Sequence, residues 1–363
     1  MRGTSGLNEG LRNGLEMLLL SAIWGASFLF LRVAAPQVGP VAVAAFRIAG
    51  AALVLMPLVI WRGQWGLFKG RWPTLMAASL ISCMLPFMGV SKAAQTLPAG
   101  PLSVLNATTP MWAAVIGWWF FQERLGWRRA MGLLLGLLGV AWLADHRKGG
   151  LETSLDLWAV GMALGSTWLY AAAIHHSRRY LQGLPPLAVS AGILGCGALL
   201  LTGPALWLGP VPMDPMTPMG AVHAALPSGA AAVHHWLDVP GSTWWALLAL
   251  AVGCTAAAYA LFYRLIERVG ATRAVSVTFL IPPFAMLWSH LWLNEPVDTD
   301  MLLGAGVVLL GTVLAALPSA KQALTPTALS SGPTQLRSQA ACIAQPRHPE
   351  HHLGETDKRH DTV

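Results

Sequence analysis

Long apolar segments dominate the chain, and most charged residues lie between them. A transmembrane helix needs about 20 apolar residues to cross a hydrocarbon core of about 30 Å. Ten apolar runs, each of roughly 17 to 24 residues, meet this length. They are too long for β-strands, and they show too little alternation of apolar and polar positions. The pattern therefore predicts ten transmembrane helices, at residues 15–35, 40–61, 73–95, 99–121, 128–144, 156–175, 185–208, 244–263, 274–293 and 300–318.

The overall composition agrees with a membrane protein. Of the 363 residues, 55% are hydrophobic and 11% are charged, whereas a soluble domain carries about 25% charged residues. Proline and glycine inside the runs are compatible with membrane helices, because neighbouring helices satisfy the backbone groups that these residues free. We predict an all-α integral membrane protein.

Positive charges favour one side of the predicted spans. With the N-terminus placed inside, 18 of the 23 Lys and Arg residues fall on the inner side, four on the outer side, and one, Arg47, within a span. Short loops rich in Lys and Arg stay in the cytoplasm, so both termini are predicted to be cytoplasmic. The net charge of +7 then reflects topology and contact with the lipid bilayer, and we expect no nucleic-acid partner.

Three segments lie outside the predicted spans. Residues 1–14 form a short N-terminal segment, and residues 209–242 contain no Lys or Arg, which predicts one long outer loop. Residues 319–363 are polar and contain several histidines, which predicts a disordered cytoplasmic tail. The four cysteines show no paired spacing, so we predict no disulfide, no metal site and no cofactor.

The chain contains an internal repeat. Residues 99–143 align without a gap with residues 271–315, so that residue 99 corresponds to residue 271. We call this constant displacement along the chain the repeat shift. Each predicted half then has five helices, 15–145 and 156–318. An odd number of spans inverts the second copy, and inverted repeats are typical of transporters with a site near the middle of the membrane. The pairs that the repeat shift superposes include Pro110 and Pro282, Glu123 and Glu295, Gly132 and Gly304, and Gly139 and Gly311.

Several motifs occur in order along the chain, and the last of them is present in both halves. They are "WGASF" at 24–28, Pro40 with Arg47, and a proline followed at one fixed spacing by a glutamate, at 110 and 123 and again at 282 and 295. In this respect residues 13–318 resemble the bacterial ten-helix EamA-domain permeases of the drug/metabolite transporter (DMT) superfamily. The resemblance implies export or exchange of small organic metabolites such as amino acids. The second half has no counterpart of Arg47.

Candidate site residues follow from their chemistry. Arg47 is a charge inside a span, where an anionic ligand or water offsets its cost; a structural arginine that snorkels to the surface or pairs with backbone is the alternative. Aromatic side chains and a polar stripe on the fourth helix predict a cavity, although small polar residues also pack helices together. We assign Trp24, Arg47, Asn106, Trp168, Tyr170, Tyr259 and Thr278 to a substrate cavity, Pro110 and Pro282 to helix bends, and Gly132, Gly139, Gly304 and Gly311 to helix packing.

The sequence therefore favours an inner-membrane carrier that binds a small-molecule substrate between two halves. A multidrug exporter, a membrane sensor and a membrane enzyme are the alternatives. No carboxylate lies in the middle of a predicted span, which disfavours both a proton-coupled multidrug exporter and acid–base catalysis. The glycine-rich run at 132–139 also raises the hypothesis of a homodimer.

Overall fold

The structure, a computed structural model, describes residues 3–122, 126–144, 156–210, 236–269, 274 and 276–316. All regular secondary structure in these residues is helical. The α-helices are α1 (Gly3–Trp61), α2 (Trp72–Ser79), α3 (Leu85–Ala93), α4 (Ala99–Asn106), α5 (Thr109–Phe121), α6 (Trp127–Ala144), α7 (Leu157–Tyr180), α8 (Pro186–Leu208), α9 (Gly241–Leu248), α10 (Ala258–Val269), α11 (Ile281–Leu293) and α12 (Thr299–Ala316). Short 3₁₀-helices cover Trp65–Phe68 and Ser276–Leu280, and π-helices cover Leu80–Met84 and Ala249–Ala257.

Five continuous helical segments in the described residues are long and apolar enough to cross a membrane. The first of them, Glu9–Trp61, has 53 residues and is about 80 Å long if straight, more than twice the hydrocarbon thickness. It breaks at Gly39, where φ is 78° and ψ is 164°, a conformation that glycine adopts without steric cost. The first two predicted spans are thus separated at a single residue rather than by a loop. That the chain crosses the membrane ten times remains a prediction.

Large apolar side chains point outward along the described helices. Leu53, Trp119 and Leu199 are 76%, 72% and 80% exposed, and many other leucines and tryptophans are exposed as well. A soluble protein rarely carries such extended apolar surface. The surface therefore fits lipid, while the buried clusters lie between helices of both halves.

The helix boundaries of the two halves are related by the repeat shift. Helices α5 and α11 both have 13 residues, and α6 and α12 both have 18, with every boundary displaced by the repeat shift. Gln122 and Asn294 end α5 and α11 in the same left-handed conformation, with φ of 52° and 53°. The π-helix Leu80–Met84, displaced by the same shift, falls within the π-helix Ala249–Ala257.

Helices α6 and α12 pack against each other through glycines. A Cβ atom added at Gly132 would lie 2.5 Å from the backbone nitrogen of Ala315, and one at Gly139 would lie 2.7 Å from that of Val308. One at Gly311 would lie 2.7 Å from the carbonyl oxygen of Gly132. Along this contact, residue numbers increase on α6 while they decrease on α12, so the two helices run antiparallel. Gly304 lies at the same contact, beside Trp142 and Leu143.

The same contact bears on the homodimer hypothesis. The glycine face of residues 132–139 is covered by α12 of the same chain, so it does not offer a surface to a second copy. A homodimer through another face stays a prediction.

The fourth predicted span is broken rather than bent at its proline. Helix α4 ends at Asn106 and α5 begins at Thr109, which places Pro110 in the first turn of α5. A first-turn proline loses no helical hydrogen bond. The carbonyl oxygen of Asn106, which Pro110 cannot bind, accepts a hydrogen bond from the Thr109 hydroxyl at 2.9 Å.

The ninth predicted span has the same arrangement. Its 3₁₀-helix Ser276–Leu280 precedes α11, and Pro282 lies in the first turn of that helix. Both prolines therefore mark helix starts, which corrects the predicted bends.

Candidate substrate cavity

A cavity of about 250 Å³ lies among helices of both halves. Helices α1, α3, α4, α7 and α10 contribute to it, together with the segment that leads into α11. Its walls are mainly aromatic and aliphatic, with one charged side chain, Arg47. The lining residues are Trp24, Ser27, Phe28, Leu31, Arg47, Phe87, Val90, Asn106, Tyr170, Tyr259, Thr278 and Ile281.

Most residues assigned to a cavity from the sequence lie around this one. Six of the seven line it: Trp24, Arg47, Asn106, Tyr170, Tyr259 and Thr278.

Trp168 does not line the cavity and is 42% exposed. Side chains two positions apart on a helix point about 200° away from each other, so the face that places Tyr170 in the cavity directs Trp168 away from it. Gly161 and Gly165, on the same side of α7 as Trp168, are exposed too.

Arg47 is held between the π-helix Ala249–Ala257 and helix α3. Its Nε donates a hydrogen bond to Thr255 Oγ1 at 2.9 Å, and its guanidinium carbon lies 4.1 Å from the centre of the Phe87 ring. The Thr255 hydroxyl in turn donates to the Leu250 carbonyl oxygen, one π-helical turn earlier, at 2.8 Å. Pi-helical turns are frequent at functional sites. The sequence analysis missed Phe87 and Thr255, because nothing in their local sequence marks them as partners of Arg47.

The two helix breaks meet at the cavity. Asn106 is the last residue of α4, and Thr278 lies in the 3₁₀-helix before α11. The repeat shift superposes them, and both side chains line the same cavity. Discontinuous helices in transporters commonly form binding sites in this way, because their breaks expose polar groups at membrane depth.

A second cavity of about 490 Å³ adjoins the first. Tyr170 and Tyr259 line both cavities. From Tyr170 the second cavity follows α7 to Leu181, which is about 17 Å along the helix. The cavities thus continue toward the end of α7 that carries Arg178.

Polar contacts join the two halves of the chain at Arg32, the residue after Leu31 in the wall of the first cavity. Arg32 Nε and Glu295 Oε1 form an ion pair at 3.0 Å, and both side chains are at most one quarter exposed. Arg32 also donates to the Ala94 carbonyl oxygen at 2.9 Å, and Glu295 Oε2 accepts from the Ala99 backbone nitrogen at 2.9 Å. We call this group, Arg32, Ala94, Ala99 and Glu295, the Glu295 cluster.

Hydrogen bonds of Gln95 extend this group of contacts. Gln95 donates to the Ala35 carbonyl oxygen at 3.0 Å and accepts from Lys92 Nζ at 2.8 Å. These contacts join the first helix to the segment between α3 and α4. The sequence analysis placed Glu295 only at a helix end; its partner Arg32 lies in the other half of the chain and has no local signal.

A second ion-pair group lies at the other end of the molecule. Glu16 Oε1 accepts hydrogen bonds from Arg264 at 3.1 Å and from Arg268 at 2.8 Å. This group, the Glu16 cluster, joins the start of the first helix to the end of α10. Glu123, the repeat mate of Glu295, lies outside the described residues.

With this geometry, the comparison with known proteins can be stated. The sequence profile described as the EamA-like transporter family matches residues 13–144 and again 157–317. The chain belongs to this family. The two matches coincide with the two predicted halves, and they make the protein a multi-pass membrane protein of the drug/metabolite transporter type.

Individual relatives agree with the family assignment. The chain is 27% identical to a WAT1-related chloroplast protein of Arabidopsis thaliana, over 81% of this chain and 67% of that protein. It is 24% identical to the uncharacterized transporter YvbV of Bacillus subtilis, over 83% and 90% of the two chains. It is 21% identical to a probable amino-acid metabolite efflux pump of Escherichia coli, over 83% and 93%.

A solved crystal structure shares the fold. It covers 86% of this chain and 99% of its own, with a TM-score of 0.52 and 17% identity. At this identity the likeness concerns the fold alone.

Proposed function

We propose that this protein is a carrier of small organic metabolites such as amino acids. It works by alternating access between two inverted five-helix repeats and serves as an exporter or exchanger in the bacterial inner membrane. The observation that carries the proposal is the meeting of Asn106 and Thr278, equivalent residues at two helix breaks, on one cavity. The name of the Escherichia coli relative supports efflux of amino-acid metabolites.

Inversion of the repeats is supported by α6 and α12. These helices are equivalent under the repeat shift, yet they run antiparallel where they touch. If the two copies had the same orientation in the membrane, these equivalent helices would be parallel. Repeats of opposite orientation give the two conformations of a carrier similar energies, because each half can adopt the other's arrangement.

The conformation itself supports access from one side at a time. The Glu295 cluster closes one end of the cavity, while the larger cavity past Tyr170 and Tyr259 continues toward the other end. In the predicted topology the closed end faces the exterior and the Glu16 cluster faces the cytoplasm. The structure then corresponds to a state that receives substrate from the cytoplasm, as an exporter requires.

Counterflow in liposomes tests the function directly. Purified protein is reconstituted into liposomes loaded with an unlabelled solute, and uptake of the same radiolabelled solute is measured for single amino acids, organic acids and organic amines. We expect uptake above protein-free liposomes for at least one solute, saturating with concentration. Uptake equal to that of protein-free liposomes for all of them would overturn the proposal.

A further inference from the structure

We infer that Arg47 binds the carboxylate of the transported substrate, so that the substrates are small organic acids with an apolar or aromatic body. This inference rests on the proposed carrier function and narrows its substrate class. It concerns the same cavity.

The first argument is the unfilled hydrogen-bonding capacity of Arg47. A guanidinium group has five N–H donors. Within the described part of the chain, Arg47 donates one hydrogen bond, from Nε to Thr255, and its planar face lies against Phe87. The N–H groups on its two terminal nitrogens have no acceptor there. These terminal groups belong to a side chain that lines the cavity.

The second argument is the lack of a counter-charge. Neither Asp nor Glu is among the described residues that line the first or the second cavity. The carboxylates of Glu16 and Glu295 are engaged in their own clusters. An arginine at membrane depth is costly unless an anion or water compensates its charge, and its Coulomb attraction for an anionic ligand is stronger here than in bulk water.

The third argument is that the held geometry suits a carboxylate. Thr255 and Phe87 fix one edge and one face of the guanidinium group, which limits its rotation. The remaining edge can bind a carboxylate with two parallel hydrogen bonds, the strongest arrangement for this pair. A structural arginine that snorkels to the surface would instead keep its terminal groups outside the cavity.

The second cavity carries a charge of the same sign. Arg178 is the charged residue among those that line it. An anion that enters past Arg178 and moves toward Arg47 therefore follows a path of positive potential, which raises its local concentration and its rate of entry. The same positive potential repels a cation in both cavities.

The remaining walls define the body of the substrate. Trp24, Phe28 and Tyr259 give apolar aromatic contacts, and Asn106 and Thr278 supply polar groups. The volume of about 250 Å³ lies below the range of about 300 to 1,000 Å³ typical of drug-sized ligands. The cavity therefore fits acids with one aromatic ring or a short branched chain.

The test compares ligands that differ only in the charged group. Binding of 3-phenylpropanoate, 3-phenylpropanamide and 3-phenylpropylamine to the purified protein in detergent is measured by calorimetry. We expect the acid to bind at least about tenfold more tightly than the amide or the amine, the effect of one charge-assisted bidentate contact. This comparison uses the wild-type protein and does not depend on how any variant folds.

Variants then assign the preference to Arg47. Arg47→Gln should bring the three affinities to within about twofold of one another, and Arg47→Lys should keep part of the preference for the acid. Arg179→Gln is the matched control, because Arg179 lies over Tyr180 and lines neither cavity; it should keep the full preference. All variants are compared as monodisperse protein in gel filtration.

Three results would overturn the inference. They are equal or tighter binding of the amine, failure of the wild-type protein to bind the acid, and a preference for the acid that survives in Arg47→Gln. Counterflow distinguishes these from failure of the proposed function. If an amine or a neutral solute is transported, the protein is a carrier and only the substrate class is wrong.

Discussion

Arg32 and Glu295 join the two halves of the chain by an ion pair at 3.0 Å. The pair is reinforced on both sides, because Arg32 also binds the Ala94 carbonyl oxygen and Glu295 also binds the Ala99 nitrogen. They begin at the residue after Leu31, which lines the cavity. In the proposed alternating-access cycle these contacts break when that end of the cavity opens, so they set part of the energy difference between the two states.

Removal of this ion pair should favour the state that opens at the Glu295 cluster. In a cysteine-free background with Ser27→Cys in the cavity wall, we expect Glu295→Gln to raise the labelling rate by an impermeant thiol reagent in intact cells by about three- to tenfold. This corresponds to about 1 kcal/mol from a largely buried pair. Glu16→Gln removes the carboxylate of the other cluster and is the matched control. A lower or unchanged rate in Glu295→Gln would contradict the prediction.

Asn106 and Thr278 should contribute to substrate binding from equivalent positions. Asn106→Leu keeps the branching and the number of side-chain heavy atoms and removes the polar group, so the apparent substrate constant in counterflow should rise by roughly tenfold, the effect of losing about 1.4 kcal/mol of polar contact. Thr278→Val should act in the same direction. Ser103→Ala is the control, since the Ser103 hydroxyl is buried and bonds to the Gly100 carbonyl oxygen within its own helix. If Asn106→Leu transports like wild type per folded molecule, the polar groups only pack helices together.

Tyr170 and Trp168 give a matched pair on one helix. Tyr170 lines both cavities, so Tyr170→Leu removes a ring that both cavities share and should change the substrate constant and lower the maximal counterflow rate several-fold. Trp168→Leu changes an exposed side chain and should leave both quantities within about twofold of wild type. A strong effect of Trp168→Leu, with none of Tyr170→Leu, would place the substrate on the other face of α7.

The glycine contact between α6 and α12 should be essential for folding and not for binding. A leucine at Gly132 or Gly311 would collide with backbone atoms of the facing helix, and overpacking of this kind costs about 1 to 3 kcal/mol or more. We expect less monodisperse protein in fluorescence-detected gel filtration. Gly161→Leu is the control, because nothing lies within 4 Å of a Cβ at that position. Normal yields of Gly132→Leu would show that the helices can separate at little cost.

The predicted orientation can be measured at two positions outside the described residues. Single cysteines at Ser228, in the predicted outer loop, and at Ser331, in the predicted tail, are introduced without the four native cysteines. An impermeant thiol reagent should label only position 228 in intact cells and both positions after permeabilisation. Equal labelling of both in intact cells would refute ten spans with cytoplasmic termini.

Much of this organisation could be predicted from the sequence, because it depends on patterns along the chain. Apolar runs predict the helices, and the repeat shift, which comes from the sequence alone, superposes Asn106 on Thr278. Helical phase could also have excluded Trp168, since Trp168 and Tyr170 cannot line one cavity from the same helix. The partners of Arg47 could not be predicted. Thr255 is distant in the sequence, and its place beside Arg47 depends on a π-helical segment that tertiary packing creates.

Local backbone chemistry explains the other differences. Pro110 suggested a bend, but the Thr109 hydroxyl binds the carbonyl that the proline leaves free, so the chain can begin a new helix there. The first two predicted spans, 15–35 and 40–61, leave residues 36–39 between them. The chain instead stays helical up to Gly39 and turns at that single residue.

The backbone contact between α6 and α12 also limits how the protein can move. At Gly132 and Gly311 the two backbones meet with no side chain between them, and any separation there would open an unfilled gap. In the proposed cycle, in which one half moves against the other, this helix pair is therefore the pivot. Displacement is smallest at the pair and grows with distance from it.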